Sequence, residues 1–117
     1  MKKKFRLTER KVFASITKSK KKVFSQKYLI HFQENSLPHI RIAIITNKVN
    51  FKSAVVRNKI KRQVRTFFDC IQNKNHSLDL LLIINTAFLT GQYDANKKDF
   101  LNLINKVINF NKFKKGN

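Results

Sequence analysis

Residues 54–68 read AVVRNKIKRQVRTFF, and the way this stretch winds decides how the rest of the chain is arranged. Five basic residues, Arg57, Lys59, Lys61, Arg62 and Arg65, fall within nine positions, with Val56, Ile60, Val64, Phe67 and Phe68 in and around them. At about 100° per residue of an α-helix, these apolar residues and Ile71 share one arc. Arg57, Lys61 and Arg65 recur at i, i+4 and i+8 along the edge of that arc, with Asn58 and Arg62 further round. One face can enter a core while the other presents a ladder of cations and an amide. Like charges four residues apart weaken an isolated helix, so the ladder costs stability until an anion meets it. Ser53 stands where an N-cap is needed.

Working outward, residues 23–33 (VFSQKYLIHFQ) are aromatic and β-branched and predict a strand bent near Ser25 and Gln26. Tyr28, Ile30 and Phe32 share one of its faces, and Leu29 and His31 the other. Pro38 marks a turn, and residues 40–47 (IRIAIITN) predict the next strand, with Arg41, Ala43 and Ile45 on one face. These two strands are expected to pair as an antiparallel hairpin. Beyond the basic helix, the apolar run 78–85 (LDLLLIIN) predicts a buried central strand. Residues 9–17 predict a first helix, with Thr8 as its cap, and residues 95–111 a last helix capped by Asp94. Residues 86–93 predict a loop. The expected result is an α+β fold, helices on a small, mostly antiparallel sheet, in one domain spanning 1–117. A basic, mobile arm (1–6) and a basic tail (112–117) flank it.

The composition points to a polyanionic partner. Lys and Arg number 26 against 6 Asp and Glu, a net charge of +20. Charge of that size opposes the compact state and favours association with nucleic acid. A low-GC genome accounts for many lysines, but not for the scarcity of acids. There is no 18-residue apolar run to span a membrane and no apolar segment behind the basic start to form a signal peptide. The single cysteine, Cys70, precludes an intrachain disulfide and fits a reducing cytoplasm.

No catalytic constellation is visible. The acids (Glu9, Glu34, Asp69, Asp79, Asp94 and Asp99) are scattered, and His31, His39 and His76 are isolated. No pair of carboxylates shares a motif suited to two-metal chemistry. Neither catalytic residues nor metal ligands are therefore expected in the protein. What remains is binding chemistry: guanidinium forks for phosphate, and aromatic faces for unpaired bases. Phe13, Phe24, Tyr28 and Phe32 are candidates for stacking, although core packing explains such residues equally well.

The segment Arg57–Arg65, RNKIKRQVR, matches the R-N-x-x-K-R-x-x-R signature of the bacterial ribonuclease P protein subunit. Residues 41–48, RIAIITNK, are similar to the family's strand leading into that helix, and Arg6, Leu7 and Phe13 to its opening motif. The resemblance covers essentially the whole chain. It implies element order α-β-β(-β)-α-β-α with a left-handed β-α-β crossover, against the usual preference. It also implies a role: a large catalytic RNA cleaves precursor tRNA to make the mature 5′ end, using magnesium held mainly by RNA and substrate. The protein would bind that RNA through Arg57, Asn58, Lys59, Lys61, Arg62 and Arg65. It would hold the single-stranded 5′ leader in a cleft between sheet and first helix, with Phe13, Tyr28, His31 and Lys48 as its residues. No membrane and no obligate protein partner are expected. Lys59, Thr17, His31 and Asn47 depart from the residues usual at those positions, as do Ala43 and Ile45. The alternative is a non-catalytic basic RNA-binding protein of ribosomal type.

Overall fold

The computed structural model describes residues 1–115, with side chains through residue 112. Its elements are α1 (Arg10–Lys18), β1 (Lys22–Phe24), β2 (Tyr28–Glu34), β3 (Arg41–Ile45), α2 (Ala54–Asp69), β4 (Leu78–Ile84), α3 (Ala87–Thr90) and α4 (Tyr93–Lys115). The strands form one four-stranded sheet in the order β1-β2-β4-β3. β1 and β2, and β2 and β4, are antiparallel, whereas β3 runs parallel to β4. The β3–α2–β4 passage is thus a crossover between neighbouring parallel strands.

Two expectations are corrected here. The bent strand 23–33 is a tight hairpin: Ser25 donates its N–H to the Tyr28 carbonyl at 2.8 Å, and Lys22–Phe24 folds back on residues 29–31. The expected hairpin between residues 23–33 and 40–47 does not form, because β4 inserts between β2 and β3. β4 has the apolar side chains to be covered on both faces, so it takes the centre and leaves β3 at an edge.

The core lies on the face carrying Tyr28, Ile30 and Phe32, which is covered by α2 and α4. Ile60, Val64, Phe67 and Phe68 of α2 meet Phe100, Leu103, Ile104 and Val107 of α4 over it. Ser53 caps α2 as expected, its Oγ accepting from Val56 N–H at 3.3 Å. Cys70, exposed, ends that helix. Neither of the other two expected caps is realised. Glu9 occupies the N-cap position of α1 with extended backbone and no side-chain cap bond. Asp94 lies inside the first turn of α4, where the helix dipole favours an acid. The loop 86–93 contains the short α3, and α4 extends through the start of the expected tail to Lys115. Residues 116–117 of that tail lie outside the described residues.

On the opposite face α1 packs Ile16 with Leu7 against Ala43 and Leu81, with Val12, Phe13 and Ile45 around them. An ion-pair network centred on the buried Asp79 fixes the adjoining corner. Arg41 donates to both Asp79 carboxylate oxygens, at 2.9 and 2.8 Å, and Asn35 Nδ2 donates to the same carboxylate at 2.8 Å. A third Arg41 nitrogen donates to Glu9 at the start of α1, at 2.9 Å. These hydrogen bonds, that to Asp79 foremost, raise the Arg41 pKa further. The N-terminal arm packs against the domain: Lys3–Phe5 form a 3-10 turn, Phe5 packs at a tilt against Phe68 at 5.3 Å between ring centres, and Leu7 N–H donates to the Ile42 carbonyl.

Candidate nucleic-acid interface

The winding of α2 sorts its cations into three groups. Asn58 and Arg62 lie on the exposed crest, away from the buried Ile60, Val64 and Phe68. Arg57, Lys61 and Arg65 are half-buried along one flank, where Lys61 and Arg65 face the N-terminal segment and β3. Lys59 lies on the other flank, beside the α3–α4 corner. The motif therefore brings five of its six residues onto the crest and the flank beside the N-terminal segment, and places Lys59 on the opposite flank, next to Asn58. Arg57 is partly committed to the fold: its guanidinium donates to the Phe51 and Lys52 carbonyls at 2.7 and 3.0 Å, tying the incoming loop to the helix.

Lys61 and Arg65 form one wall of a cleft of about 340 Å³ at the β3 edge. Arg6 and Phe13 stand across it, with Ala43 and Ile45 in its floor, and none of the lining residues is acidic. Arg65 Nε is buried without a hydrogen-bond partner. Unsatisfied buried donors are uncommon, and this one borders a cleft of positive charge.

Strand register extends the floor of this cleft across the sheet. Phe24, Leu29, Ile83 and Ile45 form one cross-strand row on the α1 face, and Lys22, His31, Leu81 and Ala43 the next. α1 covers Leu81 and Ala43 but leaves the first row partly open, and Phe24 is 72% exposed. His31 borders this strip, and Lys48 follows β3 on an exposed turn past the same end of the sheet. Of the four residues expected to line a leader cleft, Phe13, His31 and Lys48 are thus on or beside one surface.

Tyr28 is not. It faces the opposite side, is fully buried, and donates its hydroxyl to the Asn96 carbonyl at 2.7 Å. Its ring packs edge-on against Phe88 and Phe100, and burial foremost, with Asp99 beside it, pushes its pKa up. Phe32, on the same face, is likewise core. Neither can stack on a base. Sequence reading passed over Leu29, Ile83, Ala43, Ile45 and Arg6 as cleft residues. The alternation of β2 and β3 carried a signal for the strand residues, but β4, apolar at every position except Asp79, hid which face lay open.

Burial, and secondarily Lys22 opposite, lowers the His31 pKa below the ordinary histidine value of about 6.5. The unfolded chain therefore takes up this proton at a higher pH than the folded one. The stability His31 contributes is complete above the ordinary value and is lost as the pH falls through the folded-state value. His31→Gln should accordingly show a smaller drop in Tm between pH 7 and pH 5 than the parent. Equal drops would show that His31 is not coupled to folding.

Comparison with known proteins agrees with this geometry. Residues 1–108 match the family model described as Ribonuclease P. The chain is 37% identical over 107 residues to the ribonuclease P protein component of Mycoplasma genitalium, covering 92% of this chain and 84% of that one. It is 36% identical to that of Mycoplasma pneumoniae, over 89% and 88% of the two chains. The RNase P protein from Thermotoga maritima superposes with a TM-score of 0.73 at 26% identity, covering 84% of this chain and 93% of that one. A Staphylococcus aureus RNase P protein mutant gives 0.77 at 24% identity, over 94% and 90%. The match sets aside a generic ribosomal-type protein. With a basic helix crossing between parallel strands and a positively charged cleft beside it, the chain belongs to the ribonuclease P protein family, the accessory subunits of the RNA-containing endoribonuclease that matures tRNA 5′ ends.

Proposed function

We propose that α2 docks the catalytic RNA through Asn58, Lys61, Arg62 and Arg65, with Arg57 and Lys59 at its margins, while the cleft beneath α1 holds the 5′ leader of precursor tRNA. The observation that carries this reading is the pairing of an open apolar strip with a wall of unneutralised cations. Phe24, Leu29, Ile83 and Phe13 offer faces for unstacked bases, and Arg6, Lys61 and Arg65 offer donors to the phosphates between them. Because Lys61 and Arg65 belong to both surfaces, leader and catalytic RNA would meet along one edge of α2. His31 and Lys48 would border the leader, and Tyr28 would act only by supporting β2 from behind.

Magnesium enters as an ion held by RNA and substrate. Among the described residues no three His, Cys, Asp or Glu side chains come together to hold a metal ion. The protein's contribution is charge. Two RNAs repel each other, and a cationic protein touching both lowers that repulsion, so that substrate and catalytic RNA come together with fewer added cations.

Reconstitution tests the proposal. The purified protein should leave precursor tRNA uncut, and should restore cleavage by the catalytic RNA at magnesium concentrations where the RNA alone is inactive. A substrate without its leader should gain less from the protein. An equal gain on both substrates would remove the leader from the mechanism.

A further inference from the structure

A second recess lies on the flank of α2 away from the leader cleft. It measures about 260 Å³, and its walls are Lys59 and Gln63 of α2 and Leu89 and Tyr93 of the α3–α4 corner, over a floor of Ile60 and Phe88. It is smaller than the roughly 300–1,000 Å³ of drug-sized sites and suits one ring system. Tyr93 packs edge-on against Phe67 at 5.1 Å, which fixes its ring while leaving it 43% exposed. Leu89, on the same rim, is more than half exposed. Lys59 has no carboxylate partner among the described residues, and neither the Gln63 carboxamide nor the Tyr93 hydroxyl makes a hydrogen bond there.

We propose that this recess receives one unpaired nucleobase of the catalytic RNA. The base would stack on Tyr93 against Leu89, its edge would meet the Gln63 carboxamide, and the adjoining phosphate would pair with Lys59. Each component answers one part of a nucleotide: a fixed aromatic face, an amide able to donate and accept, and a cation at the mouth. No acid lines the recess to repel a phosphate. Its position favours RNA over a peptide, because Lys59 adjoins Asn58 and lies three residues before Arg62, so the recess is continuous with the crest. This inference rests on the reading of α2 as the RNA dock, and it explains why the motif's cations wrap around the helix instead of keeping to one side.

The test uses the full-length protein and the catalytic RNA. Tyr93→Leu keeps apolar volume and removes the stacking face, and should weaken RNA binding roughly five- to hundredfold with little change in its salt dependence. Tyr93→Phe should restore it. Lys59→Gln should reduce the salt slope by about one phosphate contact. Chemical probing of RNA flexibility should show a nucleotide protected by the parent and released by Tyr93→Leu. Because Tyr93 also supports Phe67, Leu89→Glu gives an independent check, placing a carboxylate at the exposed rim and weakening binding without lowering Tm. If Arg62→Ala weakens binding while Tyr93→Leu and Leu89→Glu bind within twofold of the parent and leave the probing pattern unchanged, the recess is no base site and the dock stands. If Arg62→Ala has no effect either, both readings fall.

Discussion

Asp79→Ala should cost about 3–5 kcal/mol of stability, more than the loss of any other single polar contact among the described residues. The carboxylate is 2% exposed and receives hydrogen bonds from two Arg41 nitrogens and from Asn35. Removing it leaves a guanidinium buried between β3 and β4 with no equivalent counter-charge. Glu9 cannot substitute, since it is largely exposed and contacts only the outer nitrogen. Glu9→Gln should therefore cost no more than about 1 kcal/mol, as exposed ion pairs do. Urea titration distinguishes the two. If Asp79→Ala unfolds at nearly the parent midpoint, the network is not what holds β3 to β4. The loss should be compounded by the net charge of +20, and added salt or a polyanion should recover part of it.

The second large effect concerns RNA. Lys61→Ala combined with Arg62→Ala should lower affinity for the catalytic RNA roughly tenfold to a hundredfold, with a salt slope smaller by about two phosphate contacts and Tm nearly unchanged. These residues suit the test better than Arg57, whose guanidinium bonds two loop carbonyls, so that Arg57→Ala should loosen the entry to α2 as well as the RNA contact. A slope unchanged in the double variant would mean that another face of the protein meets the RNA. Filter binding at several salt concentrations measures both quantities.

How much of this was legible beforehand differs between elements. The basic helix was, because a run of apolar residues at helical spacing between cations admits one amphipathic winding, and Ser53 marks where it begins. The faces of β2 were also legible, since Tyr28, Ile30 and Phe32 alternate with Leu29 and His31. Which of those faces met solvent was not. An aromatic residue at strand spacing looks the same whether it stacks on a base or on Phe100, and only the side covered by α4 assigned Tyr28 to the core. Strand order was hidden for a related reason. β4 has almost no alternation, and nothing local to β2 and β3 reveals that a strand more than thirty residues further on will separate them.

The central place of β4 has a consequence for synthesis. Arg41 and Asp79, neighbours in the finished sheet, are 38 positions apart in the chain. Until residue 84 has left the ribosome, β2 has only the three-residue β1 beside it, and β3 has no strand partner. Contacts of such separation form late and slowly. The cations of α2 precede β4 in the chain, so the growing polypeptide carries its most basic helix before it has a sheet to fold upon. A nucleic acid that engages the helix at this stage meets a chain without a core, and the last strand to be made is the one that turns it into a subunit.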